Sequence, residues 1–315
     1  MRTKEDAAVK YITKSAVIAN SLLALLLILI AVPGEKQVQP AYALILGILA
    51  IEVLYAFKVR AAVKSGTDYR VPSYVVSIVW IVLSLWELFV TDLNMLHPVL
   101  YPAPENVFYV FATQYRILGV NILWTMELLL ISILMGVAAG VILGVIVGWN
   151  KTLSATFYPI ANVFAPIPSI VYAPYIISLM PSFRSASAMV IALGIFFPMF
   201  LNTVNRVHSI DSNIIDSAKM LNVSDRNMVT KVILPYVIPG VISGMKVTLT
   251  TSFMLLMFAE MMGATKGLGY YIVNYNTYGN YTNVIACIIV VGFVVTILSR
   301  MVDLLQKKTI RWKEV

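Results

Sequence analysis

The chain has 315 residues, 60% of them hydrophobic and only 12% charged, with a mean hydropathy of +0.85. Soluble domains carry about 25% charged residues, so this composition excludes an ordinary soluble protein and points to a bilayer. The formal charge of +8 would suit nucleic acid, but the placement of the basic residues assigns it to membrane topology, and a lone Cys287 with two distant histidines, His97 and His208, argues against disulfides and metal centres.

In chain order, eight stretches are long and apolar enough to cross: 15–32, 40–57, 74–90, 120–149, 153–180, 186–204, 236–262 and 283–305. A crossing helix needs about 20 apolar residues. Alternation of apolar and polar residues is absent, so the spans are helices rather than barrel strands. The first span follows basic residues, as a signal peptide would. Its apolar core is too long, and Val32-Pro33-Gly34 lacks a small-x-small cleavage site, so it is expected to be retained. The segment 91–119 carries Pro98, Pro102 and Pro104, followed by an expected interfacial helix from Glu105 to Tyr115.

Lysines and arginines orient the bundle. With the N-terminus in the cytoplasm, 18 of the 23 basic residues fall on inside segments, including Lys58, Arg60, Arg206, Lys219, Arg226, Lys231, Arg311 and Lys313. The outside receives Lys36, Arg116, Arg184 and Lys266, and Lys246 alone falls within a span. Both termini and the 206–235 loop are then cytoplasmic.

That loop is the longest polar segment between two apolar spans. Asp211 or Ser212 suits the N-cap of a first short helix, and Asn222 suits the left-handed residue that ends it. Ser224 or Asp225 would cap a second short helix, with Leu234-Pro235 opening the next span. Two stubby helices at a sharp angle form a knob for a partner's cleft; an ordinary polar loop is the plainer reading.

Gly136, Gly140, Gly144 and Gly148 line one face of the fourth span, either for close helix packing or for a seam that slides during gating. Pro159, Pro166, Pro168 and Pro174 must kink or break the fifth. The Pro166–Pro168 break either lines a pathway or is a packed kink. Glu52, Glu87, Glu127, Lys246 and Glu260 lie in or near spans, where a charge costs about 2.5–3.5 kcal/mol on insertion scales. Glu52 and Glu87 read as structural. Lys246 is close enough to the inner end to reach the cytoplasm. Glu260, near the outer end of the seventh span and before a short helix at Gly267–Tyr271, reads as a gate or as a structural hydrogen bond. Met254, Met257, Met261 and Met262 give that span a soft apolar surface, suited to packing or to a pathway. No phosphate-binding G-x4-G-K-[ST] loop, G-x-S-x-G elbow, H-E-x-x-H helix or cysteine pair is present. An enzyme is therefore not expected, and no cofactor is expected in this chain.

Asp216-Ser217-Ala218, then Asn222 after three residues, then Val232-Ile233-Leu234-Pro235 after nine more, resembles the loop signature of ABC importer permeases. That signature runs Glu-Ala-Ala, three residues, Gly, nine residues, Ile-x-Leu-Pro. The sequence departs from it at Asp216, Ser217, Asn222 and Val232. Trp86-Glu87-Leu88, Tyr101-Pro102-Ala103-Pro104, Pro166-Ile167-Pro168, Phe196-Phe197-Pro198 with Asn202-Thr203, and Ala259-Glu260-Met261 with Gly267-Leu268-Gly269-Tyr270 resemble the nitrate/sulfonate/taurine/bicarbonate subgroup. The set runs from Trp86 to Trp312.

The resemblance implies an all-α polytopic bundle of about eight transmembrane helices: a two-helix extension over 1–72 and a six-helix type I importer core over 73–315. It implies that the 206–235 loop is the coupling helix, with Asp216, Ser217, Ala218, Asn222, Val223, Arg226, Leu234 and Pro235 at the ATPase. Glu260, Met257, Lys246, Pro166 and Pro168 are the pathway or gate candidates. The implied partners are an ABC ATPase dimer carrying ATP and magnesium, an extracytoplasmic substrate-binding protein, a second copy of the chain, and membrane lipid; nucleic acid is not expected. The implied location is the cytoplasmic (inner) membrane of a bacterium or archaeon. An ion-coupled secondary transporter using Glu52, Glu127 or Glu260 is the alternative, although no inverted repeat is evident. A membrane scaffold without transport is a further one. A copurifying nucleotide-binding partner would separate the three.

Overall fold

A computed structural model describes residues 2–32, 34–68 and 70–309. Pro33, Arg311, Trp312 and Lys313, invoked above, lie outside the described residues. Among the described residues every regular element is helical. In chain order these are α1 (Arg2–Ala31), α2 (Tyr42–Ser65), α3 (Arg70–Glu87), α4 (Pro104–Thr113), α5 (Tyr115–Trp149), α6 (Lys151–Phe164), α7 (Ala173–Leu179), α8 (Phe183–His208), α9 (Ser212–Met220), α10 (Asp225–Asn227), α11 (Leu234–Gly263), α12 (Leu268–Thr277) and α13 (Tyr281–Thr309).

Among the described residues seven helices are long and apolar enough to cross a membrane: Lys14–Ala31, Tyr42–Ser65, Arg70–Asp92, Tyr115–Trp149, Phe183–His208, Asp225–Gly263 and Tyr281–Lys308. The expected fifth span is a broken pair, Lys151–Phe164 and Ser169–Leu179, bent by 83°; counted as one crossing it makes eight. The break has a chemical cause. Pro166 and Pro168 have no N–H to continue the helical ladder. Pro168 adopts ψ 126° and its carbonyl restarts the chain by accepting from the Val171 N–H at 2.9 Å.

By contacts the chain divides into two compact units, Met1–Leu118 with Asn274–Cys287, and Gly119–Val273 with Ile288–Val315. In the first unit α1, α2 and α3 close around Trp80, Leu26, Leu44 and Ile48, all fully buried. The Phe108 ring of α4 occupies the space a Cβ on Gly47 of α2 would need, so α4 lies directly on α2. Trp86 Nε1 donates to Pro102 O at 3.0 Å, which ties the end of α3 to the segment before α4. Lys36 Nζ donates to Pro98 O at 3.3 Å and Tyr101 O at 2.9 Å. Burial pushes the Lys36 pKa down, opposed by the charge of Glu105. The expected helix after Pro102 is α4, with Val107 and Glu105 buried against the unit. By contacts the third span therefore travels with the first two. The division between 72 and 73 concerns the extent of the transport core, a separate question.

The second unit is organised on α8, which packs against α5, α6, α7 and α11. The α5 glycines meet α8 one turn at a time. A Cβ at Gly136 would strike Ile195, at Gly140 Met199, at Gly144 Thr203 and at Gly148 Val207. Each contact would be under 3.0 Å, so the helices approach to a distance only glycine permits. The close-packing reading of the stripe describes this geometry.

Candidate functional site

The polar loop is built on α9. The Asp211 side chain caps it, accepting from the Asn213 N–H at 2.9 Å. At its end Asn222 sits at φ 49°, one of two non-glycine residues with positive φ among those described. The Val223 N–H donates to Ala218 O at 3.2 Å, and the Asn222 N–H donates to Lys219 O at 2.9 Å. These are the two bonds of a Schellman cap, with Ala218 three positions before the helix end and Asn222 just past it. The spacing of the signature thus has a physical basis. Asparagine tolerates the left-handed region better than most residues, so it fills the glycine position.

Ala218 faces inward. It is 9% exposed and joins a cluster with Val145, Val207, Met228, Ile233 and Val237, so α9 is seated on α5, α8 and the start of α11. Ile233 and Met228 are fully buried; Val223 and Leu234 pack against the same cluster. Asp216, Ser217, Arg226 and Pro235 are exposed. Asp216 and Lys219 form a loose surface pair at 3.9 Å.

The second arm differs from the expected free-standing helix. Ser224 occupies the N-cap position with no side-chain bond, and α10 runs without a break into a π-helical turn over Met228–Ile233 and on into α11. The Leu234 N–H reaches back five residues to Val229 O. Pro235 has no N–H to restore the ordinary ladder at the next position. The arm is therefore a rigid prolongation of the span, and the loop is one latched helix beside an extended one.

The loop's most exposed large apolar side chains are Met220 and Leu221, at 84% and 79%. They sit at the end of α9, beside the Asn222 turn. Sequence reasoning passed over them because apolar residues in an amphipathic segment ordinarily signal burial.

The pathway candidates do not converge on one point. Pro168 lines a cavity of about 260 Å³ together with Ser169, Tyr172, Thr251 and Met254; Pro166 lies exposed at the break just before it. Lys246 Nζ contacts Asp303 of α13 at 2.9 and 3.0 Å, so it has an ion-pair partner within the bundle. Met257 is half-buried, and its carbonyl backs onto Gly269.

Glu260 is 2% exposed and held in a polar clamp. Thr125 Oγ1 donates to its carboxylate at 2.8 and 3.1 Å, and the Gly269 N–H donates at 2.8 Å. Thr125 Oγ1 in turn accepts from the Leu268 N–H at 2.8 Å, and Asn121 Oδ1 accepts from the Gly267 N–H at 2.7 Å. Gly267 sits at φ 118° with the Glu260 carboxylate where its Cβ would stand; a Cβ at Gly269 would come within 2.6 Å of Met257 O. The glycine pair is what lets the turn close on the carboxylate. Beside it lies a small cleft of about 80 Å³ lined by Trp124, Arg184 and Lys266, with both cations over the Trp124 ring at 4.6 and 5.0 Å. Glu127 pairs with Arg184 there. Among the described residues no group of three or more histidine, cysteine or acidic side chains is arranged to hold a metal ion.

The family description "Binding-protein-dependent transport system inner membrane component" matches residues 136–311, more than half of the chain. The chain belongs to this family. SsuC of Bacillus subtilis, named for aliphatic sulfonates transport, is 24% identical over 237 residues, covering 74% of this chain and 85% of its own. The taurine transport system permease protein TauC of Escherichia coli is 24% identical over 243 residues, covering 74% and 86%. The permease fold is matched by a MetNI methionine ABC transporter solved in inward-facing conformations. It has a TM-score of 0.51 at 20% identity and covers 62% of this chain and 94% of that one. This likeness bears on the fold alone.

Proposed function

We propose that the chain is the membrane-spanning permease subunit of an ATP-driven ABC importer for a small anion. Two copies would form one pathway, with an ATPase dimer on the cytoplasmic face and an extracytoplasmic protein delivering substrate. ATP and magnesium would bind the ATPase, not this chain. Sulfonates, taurine, nitrate, bicarbonate and vitamin precursors are the substrate candidates. The first two come from the names of relatives, and a nitrate import permease of Leptolyngbya laminosa supplies the third. Both termini and the loop lie in the cytoplasm on this reading, as the excess of Lys and Arg on those segments argues.

The observation that carries the coupling role is the pairing of a latch with a bare apolar tip. α9 is fixed to three spans through Ala218 and its neighbours, while Met220 and Leu221 are left uncovered. An exposed apolar patch rimmed by polar residues marks a docking surface. Because α10 continues into α11, force on the tip would tilt a span rather than bend a loop.

The test is the double substitution Met220→Glu with Leu221→Glu. Copurification of the ATPase should fall by about tenfold or more, the effect of losing about 1.4 kcal/mol of docking energy, while thermal unfolding of the permease stays unchanged. Undiminished copurification would remove the tip from the interface. Transport by the isolated chain under an ion gradient would favour the secondary-transporter alternative.

A further inference from the structure

Resting on the importer reading, we infer that the groove between α8, α11 and the turn at Ser169–Tyr172 is a two-station anion path, with orphan hydroxyls at one station and the Arg206 guanidinium at the other. Two cavities, of about 390 and 260 Å³, share Gly194, Pro198 and Thr251 and so form one continuous space. No acidic side chain lines either, and the one cation at hand, Arg206, stands behind the wall of the larger cavity against Gly240 and Asn202.

The first station lies at the break in the fifth span. Ser169 is 4% exposed, yet its hydroxyl has no hydrogen-bond partner, and neither has the buried hydroxyl of Tyr172. Buried donors without partners are uncommon and call for an explanation. Ser169 Oγ lies 2.6 Å from where a Cβ on Gly194 would stand, so the glycine keeps the space beside it open. Thr248 and Thr251, by contrast, bond back to their own helix at Gly244 O and Val247 O. The free donors therefore belong to Ser169 and Tyr172.

The second station lies twelve residues further along α8, about 18 Å at 1.5 Å per residue. Arg206 Nε donates to Asn202 Oδ1 at 2.7 Å, and the guanidinium lies against Gly240; Asn202 and Gly240 both line the larger cavity. No carboxylate pairs with Arg206 among the described ion pairs, unlike Arg184 and Lys246. An arginine without a counter-ion, fixed by one nitrogen, presents its remaining N–H groups in the planar fork that suits an oxyanion. Orphan donors, an unpaired cation and no acid in the lining select a ligand with acceptor oxygens and negative charge. Neutral hydroxyls hold such a ligand weakly, as passage requires.

The test uses the complete permease–ATPase complex in liposomes with Thr251→Cys as reporter and the buried Cys287 replaced by alanine. Nitrate, methanesulfonate and taurine are the probes, read by protection of the new thiol from N-ethylmaleimide. At least one probe should protect. Arg206→Gln should raise the concentration needed by about tenfold or more, the loss expected for a charge-assisted hydrogen bond, with Arg206→Lys in between. Gly240→Ala, which displaces the guanidinium and leaves its charge, should reproduce part of the shift. Ser169→Ala should weaken protection by about threefold, the smaller loss of a neutral bond. Equal protection in Arg206→Gln, or no protection by any probe, overturns the path. ATPase retained in the same sample would then leave the permease reading standing, whereas its absence would take both down.

Discussion

The two ends of α11 are fastened by opposite means. At the Gly263 end the attachment is polar and fully satisfied: a buried carboxylate gathers a hydroxyl and a backbone amide, and the hydroxyl accepts a second amide. At the Leu234 end it is mainly apolar: Met228, Ile233 and Val237 share a core with Ala218, and among the described residues no side-chain hydrogen bond joins α9 itself to the span, the Tyr236 hydroxyl donating only a long 3.4 Å bond to Ser209 O ahead of α9. Hydrogen bonds are directional and hold one geometry, whereas apolar contacts allow small slides at little cost. The clamp suits a fixed point and the latch suits a joint. A lever that tilts a span needs one of each.

Glu260→Ala should do the most damage, because it strips the fixed point. The Gly269 N–H and the Thr125 hydroxyl would each lose their acceptor, at about 1–3 kcal/mol apiece, for a total of about 4 kcal/mol. With about 2–4 °C lost per kcal/mol at this size, thermal unfolding in detergent should drop by roughly 8–16 °C. Glu260→Gln keeps one carbonyl acceptor and should lose about half as much. If Glu260→Ala unfolds at the wild-type temperature but alters transport, the carboxylate is a gate and the contrast between the two ends disappears.

Ala218→Glu attacks the joint. Its side chain points into the cluster at 9% exposure, so a carboxylate there must be buried or must unseat α9. The cost of burying an unpaired polar group is about 2 kcal/mol on mutational scales, and it should appear as local opening. Limited proteolysis should cut near Asn222 while the spans stay protected. Uncoupling from the ATPase would follow from a displaced tip, not from a lost contact at Ala218. Retained protection of the loop would mean that Ala218 itself faces the partner.

Legibility followed distance along the chain. The α9 cap was readable because Asp211 and Asn222 act on neighbours within a few residues, and their side-chain chemistry permits little else. The break at Pro166–Pro168 was readable for the same reason. The clamp was not: Thr125 and Glu260 are 135 residues apart, and a threonine in an apolar run announces no partner. Nor was the continuity of α10 with α11. The polar composition of 224–231 resembles an independent segment, and a π-helical turn carries no sequence mark beyond Pro235. Arg206 was counted only as an orientation signal, since its missing counter-ion is a fact of three dimensions.

The smallest effect is expected at Lys246, and it discriminates between two environments. Its bond to Asp303 joins α11 to α13 with side chains 49% and 41% exposed. In α13, Asp303 stands six residues before the helix end and just ahead of Lys307 and Lys308, where a span meets the headgroup region. An exposed pair in water contributes about 0–1 kcal/mol. Lys246→Met should therefore move thermal unfolding by no more than about 4 °C. The same unpaired aspartate facing lipid would cost about 2.5–3.5 kcal/mol, and a drop of the corresponding size would place the pair deep in the bilayer. Both helices would then be stitched at mid-span, and the apolar end of α11 would be too firmly held to act as the joint.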